Sequence, residues 1–133
     1  MKAIRARITR ALPLGSEIET CDNSGAKLLK IFTVMGYKSV EGRSPSAGVG
    51  DLVMASVKKG RPDMRKQVVL AVIVRQKKEW RRLTGERISF SDNAVAILKD
   101  EKGEPKGTHI KGPIAREISE RWPSVAKLAS IIV

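Results

Sequence analysis

The sequence predicts a mainly β protein of the α+β kind: a small antiparallel barrel of short strands, followed by short helices. Three observations predict it. Val68-Val69-Leu70-Ala71-Val72-Ile73-Val74 is a run of seven apolar residues, five of them β-branched. That is the length and composition of a fully buried strand, and it is short for a helix. Other short apolar or alternating runs recur between turn signals along the first hundred residues. The order is strands first and helices last, and five or six short strands closing on themselves would leave no open sheet edge.

Taken in order, Ile4, Ala6 and Ile8 alternate with Arg5, Arg7 and Thr9, which predicts a half-buried strand with a cationic face over residues 3–12. Pro13 and Gly15 end it. Ile18–Cys21 reads as a short strand, and Asp22-Asn23-Ser24-Gly25 as a tight turn, because these side chains bond their own backbone. Ala26–Met35 alternates and should pair with the strand before the turn. Residues 36–50 form a loop rich in Gly, Ser and Pro that carries Lys38 and Arg43. Its Gly48-Val49-Gly50 is read as a tight lead-in to a strand at 52–57, not as a dinucleotide-binding loop, since no helix or third glycine follows.

Lys58 to Lys66 is a cationic loop between the 52–57 and 68–74 strands, which should be antiparallel neighbours because nine residues are too few for a helical crossover. After Val74 the chain becomes Arg75-Gln76-Lys77-Lys78-Glu79-Trp80-Arg81-Arg82, a basic ribbon projecting from the opposite end of the sheet. A Thr84–Gly85 turn, a strand at 88–90, a turn at Ser91-Asp92-Asn93 and a buried strand at 94–98 follow. Pro113 suits the first turn of a helix reaching about Arg121, with Ile118 and Trp122 on one face. Ser124 suits the cap of a second helix reaching about Ser130. The chain is read as one domain, with the barrel and its basic loops in residues 1–98 and a C-terminal part in 99–133.

Lys+Arg number 26 against 14 Asp+Glu, a net charge of +12. The distribution decides what this means. Residues 1–14 carry +4 and residues 58–82 carry +8, while the remaining segments come to −1, −1 and +2. Clustered cations on a folded domain are the footprint of nucleic-acid binding, whereas a solubilising excess would be scattered. An anionic membrane surface or an acidic protein is the weaker alternative. The candidate RNA-contact residues are Arg5, Arg7 and Arg10, Lys38 and Arg43, Lys58, Lys59, Arg61, Arg65 and Lys66, and Arg75, Lys77, Lys78, Arg81 and Arg82. Contact should be mainly with phosphate, because aromatic residues number only five: Phe32 and Phe90 are expected in the core, and Trp80 is expected to pack across its own ribbon. The apolar C-terminal residues Ile118, Trp122, Ile131 and Ile132 are candidates for a protein-contact face, or for covering the open end of the barrel.

One His and one Cys cannot make a zinc site, so no metal or other cofactor is expected. No phosphate-binding loop and no nucleophile–base pair emerges. Cys21 is read as a small buried core residue. No apolar run reaches the ~18 residues a membrane span needs, and the first residues do not form a signal peptide. The expected setting is cytosolic.

Several motifs together carry a resemblance: Asp22-Asn23-Ser24-Gly25-Ala26, Ala47-Gly48-Val49-Gly50-Asp51, Ala71-Val72-Ile73-Val74-Arg75 with Lys77-Lys78 and Arg81-Arg82, Phe90 with Asp92-Asn93-Ala94-Val95, Gly107-Thr108, and Gly112-Pro113-Ile114-Ala115-Arg116-Glu117. In this order and spacing, over about residues 16–133, the chain resembles the universal large-subunit ribosomal protein fourteen family. Met54 to Gly60 and Arg121-Trp122-Pro123 resemble its archaeal and eukaryotic branch. Glu79 interrupts the family's run of cations, and Thr84-Gly85 stands where Asp-Gly is common. The resemblance implies a closed five-stranded barrel with a C-terminal helical part, bound to large-subunit ribosomal RNA (rRNA). It also implies a place at the subunit interface with a bridge to small-subunit rRNA, contacts with neighbouring ribosomal proteins, and a C-terminal region that receives an anti-association initiation factor. Its rivals are a free barrel-type RNA chaperone or translation factor and, more distantly, an enzyme.

Overall fold

A computed structural model describes residues 3–133 of the chain; Met1 and Lys2, part of the cationic N-terminal stretch, lie outside the described residues. The elements run β1 (Leu12–Pro13), β2 (Glu17–Thr20), β3 (Ala26–Val34), β4 (Ser46–Ala47), β5 (Leu52–Gly60), β6 (Val68–Arg75), β7 (Trp80–Arg81), β8 (Arg87–Ile88), β9 (Ala94–Leu98), β10 (Ile110–Ile114), α1 (Arg116–Arg121), α2 (Pro123–Ala126) and β11 (Ala129–Ile132).

Five of these strands close a barrel in the order β2-β3-β5-β6-β9. β6 is enclosed along most of its length, as its apolar run requires: Ala71, Val72, Ile73 and Val74 are fully buried. Its two neighbours, β5 and β9, both run antiparallel to it. The barrel is not wholly antiparallel, however. It closes through β2 and β9, which are parallel, with Glu19 opposite Ala94 and Thr20 opposite Val95. Two strands so far apart in sequence need no hairpin between them, so either direction is open to them.

β3 shows how backbone irregularity sets the core. Its partner on β5 changes register between Ile31↔Ala55 and Thr33↔Met54, which leaves Phe32 as the extra residue of a bulge. Ile31 points inward, Phe32 points out with 43% of its surface exposed, and the bulge returns Val34 to the core. Phe32 is therefore not a core residue, contrary to expectation. Residues 3–11 also depart from the expected strand. Ile4, Ala6 and Ile8 are half-buried, but the only ladder contact described in this stretch is a single bridge, Arg7↔Arg81. The alternation reports burial against the barrel without a partner strand.

The C-terminal part also differs. Pro113 lies in β10, and α1 starts three residues later at Arg116. α2 opens at Pro123 without a side-chain cap and ends at Ala126, after which β11 pairs parallel to β10. Proline fits β10 because it sits where the register with β11 shifts. Ile114, Ile118, Trp122 and Val125 are buried, and the Trp122 indole Nε1–H donates to the Gly50 carbonyl at 2.8 Å. That contact makes the 48–50 lead-in to β5 part of the seam between barrel and helices. Gly50 takes φ +87° there, as a tight turn requires.

Candidate nucleic-acid interface

The candidate cations fall at two ends of the barrel. Lys58, Lys59, Arg61, Arg65 and Lys66 lie at the end where β5 turns into β6, and all five are exposed. The loop is folded onto its own backbone: the Met64 and Arg65 N–H groups donate to the Arg61 carbonyl at 2.9 and 3.1 Å, and Met64 plugs into the core. The charges are thus carried on a shaped support. Among the described residues no carboxylate lies within 4.0 Å of Lys58, Lys59, Arg65 or Lys66, and Arg61 has only Asp63, at 3.9 Å.

At the other end stand the ribbon and the N-terminal stretch, joined by the Arg7↔Arg81 bridge. Here the structure divides residues that look alike in sequence. Lys77, Lys78 and Arg81 are exposed, as are Arg5, Arg7 and Arg10. Arg75 and Arg82 are turned inward. Arg75 donates from Nε and Nη2 to the two Asp92 carboxylate oxygens at 3.0 and 3.1 Å, and from Nη1 to the Lys111 and Pro113 carbonyls. It staples the barrel to β10. Arg82 pairs with Glu117, its Nε and Nη2 donating at 2.9 and 3.2 Å, and Nη2 also reaches the Val133 carbonyl at 2.7 Å. Both partners are almost fully enclosed, at 8% and 5% side-chain exposure. Their charges are committed to holding the fold.

The ribbon therefore does not project freely. Trp80 is buried, stacks on Phe90 with ring centroids 6.0 Å apart, and donates its Nε1–H to Glu117 at 3.0 Å. Gln76, fully buried, accepts from the Val49 N–H and donates to the Thr9 and Lys78 carbonyls. The strip is laid down against α1 and the N-terminal stretch, and its lysines face out. Lys38 and Arg43 are exposed on the 36–45 loop, where Arg43 meets Glu41 at 3.2 Å. Arg10 lies over the Tyr37 ring, 5.1 Å from its centroid, which ties that loop to the N-terminal stretch.

Of the candidate protein-contact residues, Ile118 and Trp122 are enclosed by their own chain, whereas Ile131 and Ile132 are 55% and 46% exposed. The C-terminal part thus covers the barrel with one side and presents apolar residues with another. Cys21 is buried and donates to the Val95 carbonyl; burial pushes its thiol up to about 12, against the pull of the nearby Arg75 charge. Among the described residues no group of three His, Cys, Asp or Glu side chains could hold a metal ion, and no helix is long and apolar enough to cross a membrane.

Two exposed lysines were missed by reading charge along the chain. Lys27 and Lys111 line one groove with Lys59 and Arg61. They are far apart in sequence and meet because the Lys111 N–H donates to the Cys21 carbonyl at 2.7 Å and Ile110 bridges Asp22. Neither sits in a run of cations, so no local signal marks them.

A closed barrel that holds a shaped, mostly unpartnered set of cations at both ends is a scaffold of the ribonucleoprotein class. Comparison with known proteins narrows this. The family model described as ribosomal protein L14p/L23e matches residues 11–133. Proteins named large ribosomal subunit protein uL14 are similar over the full length of both chains: 58% identical in Nanoarchaeum equitans, 53% in Methanoregula boonei and 51% in Methanocorpusculum labreanum. The chain belongs to the ribosomal protein L14p/L23e family. It is a structural protein of the large ribosomal subunit, acting in translation on the cytoplasmic ribosome, and not an enzyme.

Proposed function

We propose that the chain binds large-subunit rRNA through its exposed cations and offers its apolar C-terminal surface to protein partners. The observation that carries this reading is the placement of Lys and Arg side chains at both ends of a rigid barrel with few acidic partners beside them. Lys77, Lys78 and Arg81, with Arg5, Arg7 and Arg10, form one phosphate-contact surface. Lys58, Lys59, Arg61, Arg65 and Lys66 form the second, and Lys38 and Arg43 extend the first. Arg75 and Arg82 support these surfaces from beneath. Two surfaces at opposite ends fit a protein wedged between RNA elements. Barrel and C-terminal part act as one domain, because the Arg75 and Arg82 clasps join them. Ile131 and Ile132 are the exposed apolar residues suited to neighbouring ribosomal proteins and to an anti-association initiation factor. A seat at the subunit interface, with a bridge to small-subunit rRNA, is consistent with family membership.

Each phosphate neutralised on duplex RNA or DNA contributes about 0.9 to the slope of log affinity against log salt. Replacing Lys77, Lys78 and Arg81 together with alanine should therefore lower that slope by about 2 to 3 for a large-subunit rRNA fragment, with thermal stability nearly unchanged. An unchanged slope would mean that the ribbon is a solvated face. Sedimentation in high salt separates a resident subunit protein, which stays with the large subunit, from an RNA chaperone that leaves it.

A further inference from the structure

At the loop end of the barrel an open groove of about 620 Å³ lies between the end of β2, the 22–25 turn, the start of β3, the end of β5 and β10. Its cations are Lys27, Lys59, Arg61 and Lys111, and its acids are Glu19 and Asp22. Asp22 is already engaged: Oδ1 accepts from the Ser24 hydroxyl at 2.7 Å and Oδ2 from the buried Ile97 N–H at 2.8 Å. Asn23 is engaged too, its Oδ1 accepting from the Thr108 N–H and its Nδ2 donating to Thr108 Oγ1, both at 2.8 Å. Among the described residues no carboxylate lies within 4.0 Å of Lys27, Lys59 or Lys111. The groove is left cationic, with Glu19 its only uncommitted acid.

Arg61 is the built part of this groove. Its main-chain N–H donates to the Gly25 carbonyl at 2.9 Å, and its Nη2 donates to the Ser24 carbonyl at 3.0 Å. Two glycines permit this approach. A Cβ on Gly25 would lie 2.3 Å from Arg61 Nε, and one on Gly60 would lie 2.7 Å from the Gly25 carbonyl oxygen. The guanidinium is thus held over the Gly25 α-carbon while its side chain stays 63% exposed. A guanidinium held in this way, with Asp63 3.9 Å from its Nε, keeps its other donors and one face of its plane for a ligand, and loses little freedom on binding.

We propose that this groove binds one nucleotide of unpaired RNA. Lys27, Lys59 and Lys111 take its flanking phosphates, and Arg61 meets its base by stacking or hydrogen bonding. The shape argues for unpaired RNA over duplex. A concavity within the usual ~300–1,000 Å³ of a small-ligand site admits an extruded nucleotide. A-form duplex is instead met across its wide, shallow minor groove, which a recessed wall does not reach. Extruded bases stack on arginine planes as well as on aromatic rings, and this groove has no aromatic ring among its lining residues. The proposal rests on the RNA-binding reading above and adds the class of RNA and the site that takes it.

The test uses the full chain, a fluorescein-labelled twelve-residue oligouridylate, and a twelve-base-pair duplex RNA, read by fluorescence anisotropy across a salt series. K27A/K59A/K111A should weaken oligouridylate binding about tenfold or more and lower its salt slope by about 2, at ~0.7 per single-strand phosphate. Duplex binding should fall less, because of the three only Lys59 also belongs to the loop-end phosphate surface. R61K keeps the charge and loses the held plane, so it should weaken oligouridylate binding several-fold with the slope unchanged. The ribbon variant K77A/K78A/R81A should affect duplex more than oligouridylate. The proposal is overturned if the triple variant binds oligouridylate within twofold of the parent, or loses both RNAs equally. It is also overturned in favour of an acidic protein ligand if polyglutamate displaces oligouridylate at lower charge concentration than unlabelled oligouridylate does. A parent chain that binds neither RNA at low salt would overturn the RNA-binding reading itself. Duplex binding that survives while the groove variants have no effect would overturn the groove alone.

Discussion

Replacing Glu117 with alanine unties the ribbon from the C-terminal part at one atom group. Its carboxylate accepts three hydrogen bonds: from Trp80 Nε1, and from Arg82 Nε and Nη2. Both charged partners are enclosed, so the loss is not softened by solvent as it would be at a surface pair. Removing one member of a buried ion pair costs about 3–5 kcal/mol, because the other charge remains buried without its counterion. An indole N–H left without an acceptor adds about 1–3 kcal/mol. Arg82 keeps its bond to the Val133 carbonyl, and some water will enter, so the lower part of the combined range is expected, about 4 kcal/mol. That is a large share of the ~5–15 kcal/mol by which domains are stable. Glu117→Gln keeps an acceptor for Trp80 but still leaves Arg82 without a counterion, so it should cost about 3 kcal/mol. Urea unfolding followed by circular dichroism measures each variant, and the denaturant slope should stay constant. The double variant R82M/E117L removes both charges and should regain most of the loss. A cost below about 1 kcal/mol for Glu117→Ala would refute the reasoning, as would a double variant no more stable than the single one.

Three further outcomes follow from other contacts. With the Cys21 thiol pushed from an ordinary 9.0 up to about 12, its folded state holds the proton more tightly than the unfolded chain does. Its contribution to stability is therefore full below pH 9 and is lost as pH rises towards 12. Cys21→Ala should flatten the fall in urea midpoint over that window, and the parent thiol should resist iodoacetamide at pH 8 until urea unfolds the chain; an equal fall in both proteins would contradict this. Gly112 has φ +80°, and a Cβ there would lie 2.7 Å from Arg75 Nη1, so Gly112→Ala should cost about 2–3 kcal/mol in urea unfolding. A neutral result would mean that the Arg75 staple yields easily. Ile31→Ala should cost about 2–5 kcal/mol while Phe32→Ser costs under about 1, and the reverse order would place the β3 bulge elsewhere.

How far the fold could be read depended on whether its cause was local. The β6 run, the 22–25 turn, the loop between β5 and β6 and the β9 strand are each written in adjacent residues, and each stands where the sequence puts it. The parallel closure of β2 against β9 is not local: Glu19 meets Ala94 through a register that no pattern within four residues can specify. Phe32 was misjudged because aromatic residues favour cores, although the alternation around it already set it beside Lys30. The bulge that then restores Val34 to the core has no marker in the sequence. The same limit governs the cations. Arg75 and Arg82 share a ribbon with Lys77 and Lys78, and only their distant partners, Asp92 and Glu117, turn them inward. Lys27 and Lys111 escaped notice for the converse reason, since each stands alone in sequence and gains company only in space. Charge clustering along a chain finds patches made by loops, and it misses patches made by closure.

That closure also sets an order of events during synthesis. β2 is made early, but the strand that completes the ring, β9, ends at Leu98. Until those residues leave the translating ribosome, β2 has an unsatisfied backbone edge, and an exposed edge readily recruits another chain. Pairings this distant form slowly, because the intervening loop must be ordered before the contact rewards it. A nascent copy therefore passes through a sticky, half-rolled sheet before its cations are in place, and a partner that shields β2 during that interval would raise the yield of assembled protein.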